Sequence, residues 1–315
     1  MTESAHKQRV TTLRNTITDE VILAMGLSPT NWIGKRLAVP LHWATRRFAE
    51  LVAAFDRDVG ELGTRDAARN LLPHLVEGCL QSGAAAIPET GPVLVASNHP
   101  GGVDSMAILA ALPRSDVKFI ISDVPFLRAL DNCRPHAIYA SPDIDARLGV
   151  VRQMLDHLRQ GGTVIIFPGT ELDPDPALLP GASERLDDWS RSVALLLRQV
   201  PETRLVTTIV GGVLAPRFYA HPLAKLAPPG WKRIKLAEML QIMQQLASGT
   251  RLDLCPTVTF GTPLRPSELP AEAETAAARD LMPAVLRQAR QVLERYRAGT
   301  SPTHNVPMPA RPDHT

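Results

Sequence analysis

The residues most capable of chemistry lie in one short segment, VLVASNHPGGVDSMAIL. There Asn98, His99 and Asp104 follow a predicted strand and precede a predicted helix. Sheets of alternating strands and helices present functional groups at this edge, beyond the carboxyl ends of the strands. On a regular helix, residues five apart diverge by roughly 140 degrees, so His99 and Asp104 can meet only if a turn intervenes. Gly101 and Gly102 let the chain turn tightly there.

A His and an Asp placed in this way are typical of a general base and the carboxylate that orients it. Asp104 could hold one nitrogen of the His99 ring and fix its tautomer, while the other nitrogen takes a proton from an attacking alcohol. No neighbouring residue clearly qualifies as an enzymic nucleophile, which favours direct transfer to an alcohol. Backbone N–H groups at Gly101, Gly102 or the start of the following helix are candidate donors to an oxyanion. The alternative is a simple strand-end turn in which the Asn-His-Pro side chains are satisfied.

A second candidate loop follows the predicted buried strand TVIIF and contains Phe167, Pro168, Gly169 and Thr170. Glycine at 169 would allow close approach to the backbone, and Thr170 can donate a hydrogen bond. The loop could therefore position a substrate. A plain exit from strand to loop is the alternative.

Together the two segments resemble the hallmarks of the glycerophospholipid acyltransferase family, which includes glycerol-3-phosphate and 1-acylglycerol-3-phosphate acyltransferases. NHPGGVD is similar to the family's His, four residues, Asp signature, and IIFPGTEL is similar to its Phe-Pro-Glu-Gly-Thr-Arg block. The resemblance extends over about residues 80 to 262. It implies that His99 is the general base and Asp104 its partner. Substrate binding would then fall to Asn98, Gly101, Gly102 and residues 167–170.

The implied reaction is an O-acyl transfer of lipid metabolism, as in phospholipid biosynthesis. The donor would be a thioester, acyl-CoA or acyl carrier protein, and the acceptor a hydroxyl of a lysophospholipid or another lipid-like molecule. No cofactor is expected besides the thioester substrate.

Two departures from the family pattern concern the acceptor. Glu171 stands where the family's phosphate-binding Arg is expected, and the Glu before the glycine is absent. The family's intermediate block corresponds to residues 137–141, AIYAS, which also lacks an Arg. If the acceptor carries phosphate, another arginine must bind it. We favour Arg217, after a predicted strand exit, over three other candidates: Arg134, Arg147 and Arg185.

The elements around these motifs predict an α/β fold with a mostly parallel central sheet flanked by helices. Short β-rich runs begin at 93, 117, 137, 163, 205 and 255, with helices expected at 145–160, 183–199 and 231–247. An N-terminal helical extension and a long C-terminal helix, about 272–298, complete the fold. The expected organisation is a helical region at 1–84, the α/β domain at 85–265, the C-terminal helix at 266–300 and a disordered tail at 301–315.

Composition excludes several classes of protein. The net charge of +2 gives no bulk attraction to nucleic acid. Three scattered cysteines fit a reducing compartment, so a cytoplasmic location is expected. His136, His157 and His221 show no metal-ligand spacing, and no metal is expected. The acidic stretch from Glu171 to Asp175 is interpreted as a solvated loop, with cation binding as the alternative.

Contact with a membrane is expected, if at all, from one side, because no apolar run is long enough to span a bilayer. The segment GWKRIKLAEMLQIMQQL combines Trp231, Lys232, Arg233 and Lys235 with an apolar stripe. That pattern fits docking on a membrane surface, although packing on the core is the commoner use of such a stripe.

Two other functions stay open. A non-catalytic acyl-lipid or acyl-carrier binding protein could keep the fold without the acceptor machinery. A thioester hydrolase could use water in place of the alcohol.

Overall fold

The computed structural model describes residues 3–140, 144–169, 171–248, 252–269 and 280–310. Its centre is a sheet of eight strands in the order β4-β3-β5-β2-β6-β7-β1-β8. The strands are β1 (Leu80–Ser82), β2 (Val93–Ser97), β3 (Val117–Ser122), β4 (Ala137–Ala140), β5 (Thr163–Ile166), β6 (Arg204–Gly211), β7 (Thr257–Phe260) and β8 (His304–Asn305).

The five strands from β4 to β6 are parallel, so their carboxyl ends meet at one edge of the sheet. β2 is central and pairs Ala96 with Ile166 of β5 and with Thr207 of β6. β7 runs antiparallel to β6, and β8 runs antiparallel to β1. The loops that follow β2, β5 and β6 therefore lie side by side.

Eleven α-helical segments lie within the described ranges. They are α1 (Glu3–Ala24), α2 (Trp32–Leu62), α3 (Thr64–Leu71), α4 (Gly102–Ala111), α5 (Pro125–Arg128), α6 (Ile144–Arg159), α7 (Ala182–Arg185), α8 (Ser192–Gln199), α9 (Pro216–Tyr219), α10 (Trp231–Ser248) and α11 (Met282–Ala298). Among the described helices, none is both long enough and apolar enough to cross a bilayer.

The helices form a layer on each face of the sheet because the strands are apolar on both faces. In β2, Val93 and Val95 pack in one core with residues of α2, α3, α4 and α10. Leu94 and Ala96 point to the opposite face and pack with residues of α6, α8 and α11. Alternation of side chains along a strand and burial on both sides explain why β2 is apolar throughout.

The predicted α/β class and mostly parallel sheet are confirmed, and the N-terminal extension and C-terminal helix are present. The six predicted strands and the helix expected at 231–247 are found within a few residues of their predicted bounds. The start predicted for the C-terminal helix lies outside the described residues. The helix expected at 183–199 is interrupted, since a 3₁₀ turn at Leu186–Asp188 separates α7 from α8.

The prediction of a disordered tail at 301–315 is wrong for the part that is described. β8 adds to β1, and Val306 donates a backbone hydrogen bond to Cys79 at 2.8 Å and is buried. β1 itself belongs to the sheet, although it lies within the region 1–84 that was expected to be helical. Both strands are too short to be recognised from alternation. β1 forms because the edge of β7 offers a partner, and β8 forms on the edge that β1 then offers.

On two helices, the side chains of the predicted apolar stripe can be compared with their observed burial. On α6, Met154 and Leu158 are buried, but Leu148 is exposed despite its place in the apolar pattern. On α10, Ile234 and Ala237 are buried in the core, while Lys232 and Lys235 are exposed. The stripe of α10 therefore packs on the core.

Asp175 ties the loop after β5 to the loop after β6. Its carboxylate is fully buried and accepts backbone N–H groups from Gly212, Val213 and Leu214, at 2.9, 2.8 and 3.2 Å. It also accepts the N–H of Ala177 at 2.9 Å. One side chain thus satisfies four backbone donors at the carboxyl edge of the sheet.

We predict that Asp175→Ala lowers the free energy of unfolding by about 3 kcal/mol or more, because buried donors would lose a charged acceptor. Urea unfolding measures this change. Asp253→Ala is the matched control, since Asp253 is exposed and its replacement should shift stability by less than about 0.5 kcal/mol. Equal stability of the two variants would contradict the role given to Asp175.

Candidate active site

His99 and Asp104 meet at the carboxyl end of β2. His99 Nδ1 lies 2.9 Å from Asp104 Oδ2, and the two residues are five apart in sequence. The contact is possible because His99 precedes α4 while Asp104 lies in its first turn. The Asp104 side chain is fully buried, whereas about a third of the His99 side chain (32%) is exposed. Asp104 thus holds Nδ1, and Nε2 is the nitrogen left for proton transfer.

The reason for glycine at 101 differs from the tight turn that we expected. Gly101 is extended, with φ 170°, a backbone conformation open to any residue. Instead, a β-carbon at 101 would lie 2.6 Å from Glu238 Oε1, closer than packed atoms allow. Gly101 N–H also donates to Asp104 Oδ2 at 3.1 Å. A larger residue at 101 would therefore displace the end of the Glu238 side chain, whereas the backbone angle sets no demand for glycine.

Two further side chains fix the backbone around His99. Asn98 is buried and forms a pair of hydrogen bonds with the backbone of Val210 on β6, through Nδ2 at 2.9 Å and Oδ1 at 2.8 Å. Asp173 Oδ2 accepts the backbone N–H of His99 at 2.8 Å, and Asp173 N–H donates to the His99 carbonyl at 2.8 Å. Asn98 therefore fixes the backbone next to His99, and its predicted role in substrate binding stays a prediction.

The loop after β5 borders His99. The Phe167 ring stacks on the His99 ring, with centroids 4.4 Å apart and planes inclined by 26°. The Pro168 carbonyl accepts the N–H of Ser190 at 3.0 Å. A β-carbon at Gly169 would lie 3.4 Å from Asp173 Oδ1, an ordinary contact. Thr170, predicted to bind substrate, lies outside the described residues.

Glu238 of α10 is a third carboxylate, after Asp104 and Asp173, that acts on His99. Its Oε1 accepts the backbone N–H of Gly102 at the start of α4. Burial raises the pKa of the Glu238 carboxyl to about 7, the Gly102 hydrogen bond opposes the rise, and repulsion from Asp104 adds to it. Two carboxylates, Asp104 and Glu238, therefore share one helix N-terminus, where the helix dipole favours negative charge.

The carboxylates around His99 set its protonation. Burial lowers the pKa of the imidazole, but attraction and a hydrogen bond to Asp104 raise it, with further attraction from Glu238 and Asp173. The net result is a pKa of about 9. The ring is therefore mostly an imidazolium at neutral pH, and the neutral base becomes abundant as the pH rises toward 9.

Arg185, one of the arginines considered for acceptor binding, is the one that the structure links to the site. Its Nε lies 3.4 Å from Asp173 Oδ1, and its Nη1 lies 2.6 Å from Asp188. The favoured candidate, Arg217, is exposed on α9, with its guanidinium 5.0 Å from the Phe218 ring centroid. In the described part of the chain no hydrogen bond or ion pair joins Arg217 to His99 or Asp104, and its role stays a prediction. Arg134 pairs with Asp131, and Arg147 is exposed.

Sequence reasoning missed Asp173 and Glu238. The acidic stretch was expected to be a solvated loop, which is wrong for Asp173 and Asp175, because both are buried and accept backbone N–H groups. The proline that follows each Asp, Pro174 and Pro176, was the available signal of a fixed turn. Glu238 lies 136 residues from Gly102, and nothing local marks it. No group of three or more His, Cys, Asp or Glu side chains suited to a metal ion occurs within the described ranges.

We predict that the His99 ring titrates in ¹H–¹⁵N NMR with a midpoint near 9, above the ordinary 6.5. Asp104→Asn removes the nearest negative charge but leaves the ring buried. The titration midpoint of His99 should therefore fall, because burial lowers the pKa of an imidazole. Asp253→Asn, at an exposed site, is the control and should leave the midpoint unchanged. A wild-type midpoint at or below 6.5 would show that the carboxylates do not govern this ring.

Comparisons with known proteins give a distant structural likeness. No family model matches the chain, and no curated protein matches it. Among solved structures, the fold is similar to the crystal structure of PlsC, the 1-acyl-sn-glycerophosphate (LPA) acyltransferase from Thermotoga maritima. The match covers 92% of this chain and 97% of that one, at 14% identity and a TM-score of 0.39. At that TM-score the likeness carries no weight for function, which has to be inferred from the site.

Proposed function

We propose that this protein is an O-acyltransferase that moves a fatty acyl group from a thioester to a hydroxyl of a lipid-like acceptor. The single observation that carries the proposal is the His99 ring. Its Nδ1 is held by the buried Asp104 carboxylate, and its face is held by Phe167, at the edge of the sheet where three loops converge. Asp173 and Asn98 fix the backbone beneath it. A base so rigidly oriented is what proton abstraction requires.

The reaction needs only this base and donors to an oxyanion. Neutral His99 takes the acceptor's hydroxyl proton at Nε2 as the acceptor oxygen attacks the thioester carbonyl carbon. A carbon–oxygen bond forms, and the carbonyl oxygen becomes an oxyanion. The intermediate collapses, the carbon–sulfur bond breaks, and the imidazolium returns its proton to the sulfur. The products are an ester and a free thiol, and Asp104 stabilises the imidazolium throughout.

Direct transfer to the acceptor is preferred because no nucleophilic side chain contacts the base within the described residues. Cys79 and Cys133 are buried, and burial raises the pKa of the Cys79 thiol to about 12 and that of Cys133 further. Neither of these cysteines could supply a thiolate at neutral pH, and the pKa of the third, Cys255, is also raised by partial burial. The attacking oxygen therefore comes from the acceptor.

The charges near the base favour an acceptor without phosphate next to the reacting hydroxyl. Asp104, Asp173 and Glu238 all act on His99. Arg185, the guanidinium nearest to Asp173, is already paired with three carboxylates: Glu171, Asp173 and Asp188. An anionic headgroup would meet repulsion here. We therefore favour a lyso-lipid whose head is neutral or cationic, such as one headed by an amino acid or a sugar, over lysophosphatidic acid.

We predict that His99→Ala lowers thiol release from long-chain acyl-CoA or acyl carrier protein by about 10²- to 10⁴-fold, the usual contribution of a general base. Release is measured with a thiol reagent, with lysophosphatidic acid or non-phosphate lyso-lipids as acceptors, and the latter should react faster. His304→Ala is the control, since His304 lies on β8 at the far edge of the sheet and is exposed. Undiminished release by His99→Ala would refute the proposal.

A further inference from the structure

Glu238 reaches the site from a helix that is anchored independently of it. Gln241 is buried one turn further along α10, and its side chain binds the backbone of Val213 and Ala215 at 2.9 and 2.8 Å. Gln245, another turn on, donates to the Leu75 carbonyl at 2.6 Å. Ile234 and Ala237 pack in the core. The position of α10 therefore does not depend on the Glu238 carboxylate, which is free to serve another purpose.

The Glu238 carboxylate occupies backbone donors that the reaction needs. It accepts the N–H of Gly102, and the neighbouring Val103 N–H favours its ionised form and so lowers its pKa. These groups begin α4 directly after the His99 turn, where donors to an oxyanion were expected. Gly101 N–H is already used by Asp104 at 3.1 Å. An N–H group that serves a carboxylate cannot at the same time serve a substrate carbonyl.

The hydrogen bond between the Gly102 N–H and Glu238 can also be broken. Asp104 lies at the same helix start, and repulsion between the two carboxylates raises the pKa of Glu238. Asp104 Oδ1 is buried and has no hydrogen-bond partner among the described residues, so this helix start does not satisfy both carboxylates. Removing Glu238 would leave Asp104 as the one carboxylate at the N-terminus of α4.

We propose that Glu238 occupies the oxyanion site of the free protein and is displaced when the carbonyl oxygen of the acyl donor binds to the N–H group of Gly102. This inference rests on the proposed acyl transfer. Glu238 acts as an internal competitor of the donor's carbonyl group. Its removal should tighten binding of ligands that carry this carbonyl and leave other ligands unaffected.

The test compares two long-chain pantetheine ligands, because pantetheine is common to coenzyme A and acyl carrier protein. One is a ketone in which a methylene replaces the thioester sulfur, so that the carbonyl is kept but no transfer occurs. The other is an alkyl thioether that lacks the carbonyl. Calorimetry at pH 8, where the Glu238 carboxyl is mostly ionised given a pKa of about 7, measures both affinities for the wild-type chain and its variants.

We expect Glu238→Ala to bind the ketone about 3- to 10-fold more tightly than wild type, the value of one competing hydrogen bond, and to bind the thioether unchanged. Glu238→Gln, which keeps the shape and an acceptor oxygen but not the charge, should give a smaller gain for the ketone. Glu238→Gln also tests the proposal if the alanine variant fails to fold. Lys235→Ala, at an exposed position of α10, is the control and should change neither affinity.

An equal increase in affinity for both ligands, or no increase in affinity for the ketone in either variant, would overturn the role of Glu238. Neither result would contradict the proposed acyl transfer. Failure of every protein, wild type included, to bind either ligand would overturn the proposed function and this inference together.

Discussion

The arrangement of the site depends on one contact, the hydrogen bond between His99 Nδ1 and Asp104 Oδ2. It joins the end of a central strand to the first turn of a buried helix, so neither partner can move without disturbing the core. Asp104 is fully buried and also accepts the N–H of Gly101. The raised pKa of the imidazole owes most to this carboxylate, with Glu238 and Asp173 adding to it. The ring is oriented by Asp104 together with Phe167.

A second constraint is the accumulation of negative charge at the same edge. Asp173 and Asp175 bind backbone N–H groups of the His99 turn and of the loop after β6, so they hold the loops in place. Together with Asp104 and Glu238 they leave little room for another anion. The two positions where the resemblance implies an arginine hold other residues. Among the described residues, the guanidinium that reaches this edge, Arg185, is already paired with carboxylates. This balance of charge is why we propose an acceptor without phosphate.

What the sequence predicted well is local. The strands at 93–97, 117–122 and 137–140 have the bounds that their β-rich runs indicate, and His99 meets Asp104 because a short turn separates them. What it could not predict is long-range. Glu238 and Asp173 reach His99 from 136 and 74 residues away, and β8 forms only because β1 offers an edge. Gly101 shows the difference clearly, since glycine was expected there for a turn, and what it provides is space for the Glu238 carboxylate.

The most direct test of the central claim follows the acyl group itself. The protein is given a thioester labelled in its acyl chain together with a hydroxyl-bearing lyso-lipid. The lipid products are then separated and identified by mass spectrometry. Acyl transfer predicts that the label appears in an oxygen ester of the acceptor, with one thiol released for each ester formed. Label found only in free fatty acid, at a rate that does not depend on the acceptor, would contradict transfer and identify a thioester hydrolase.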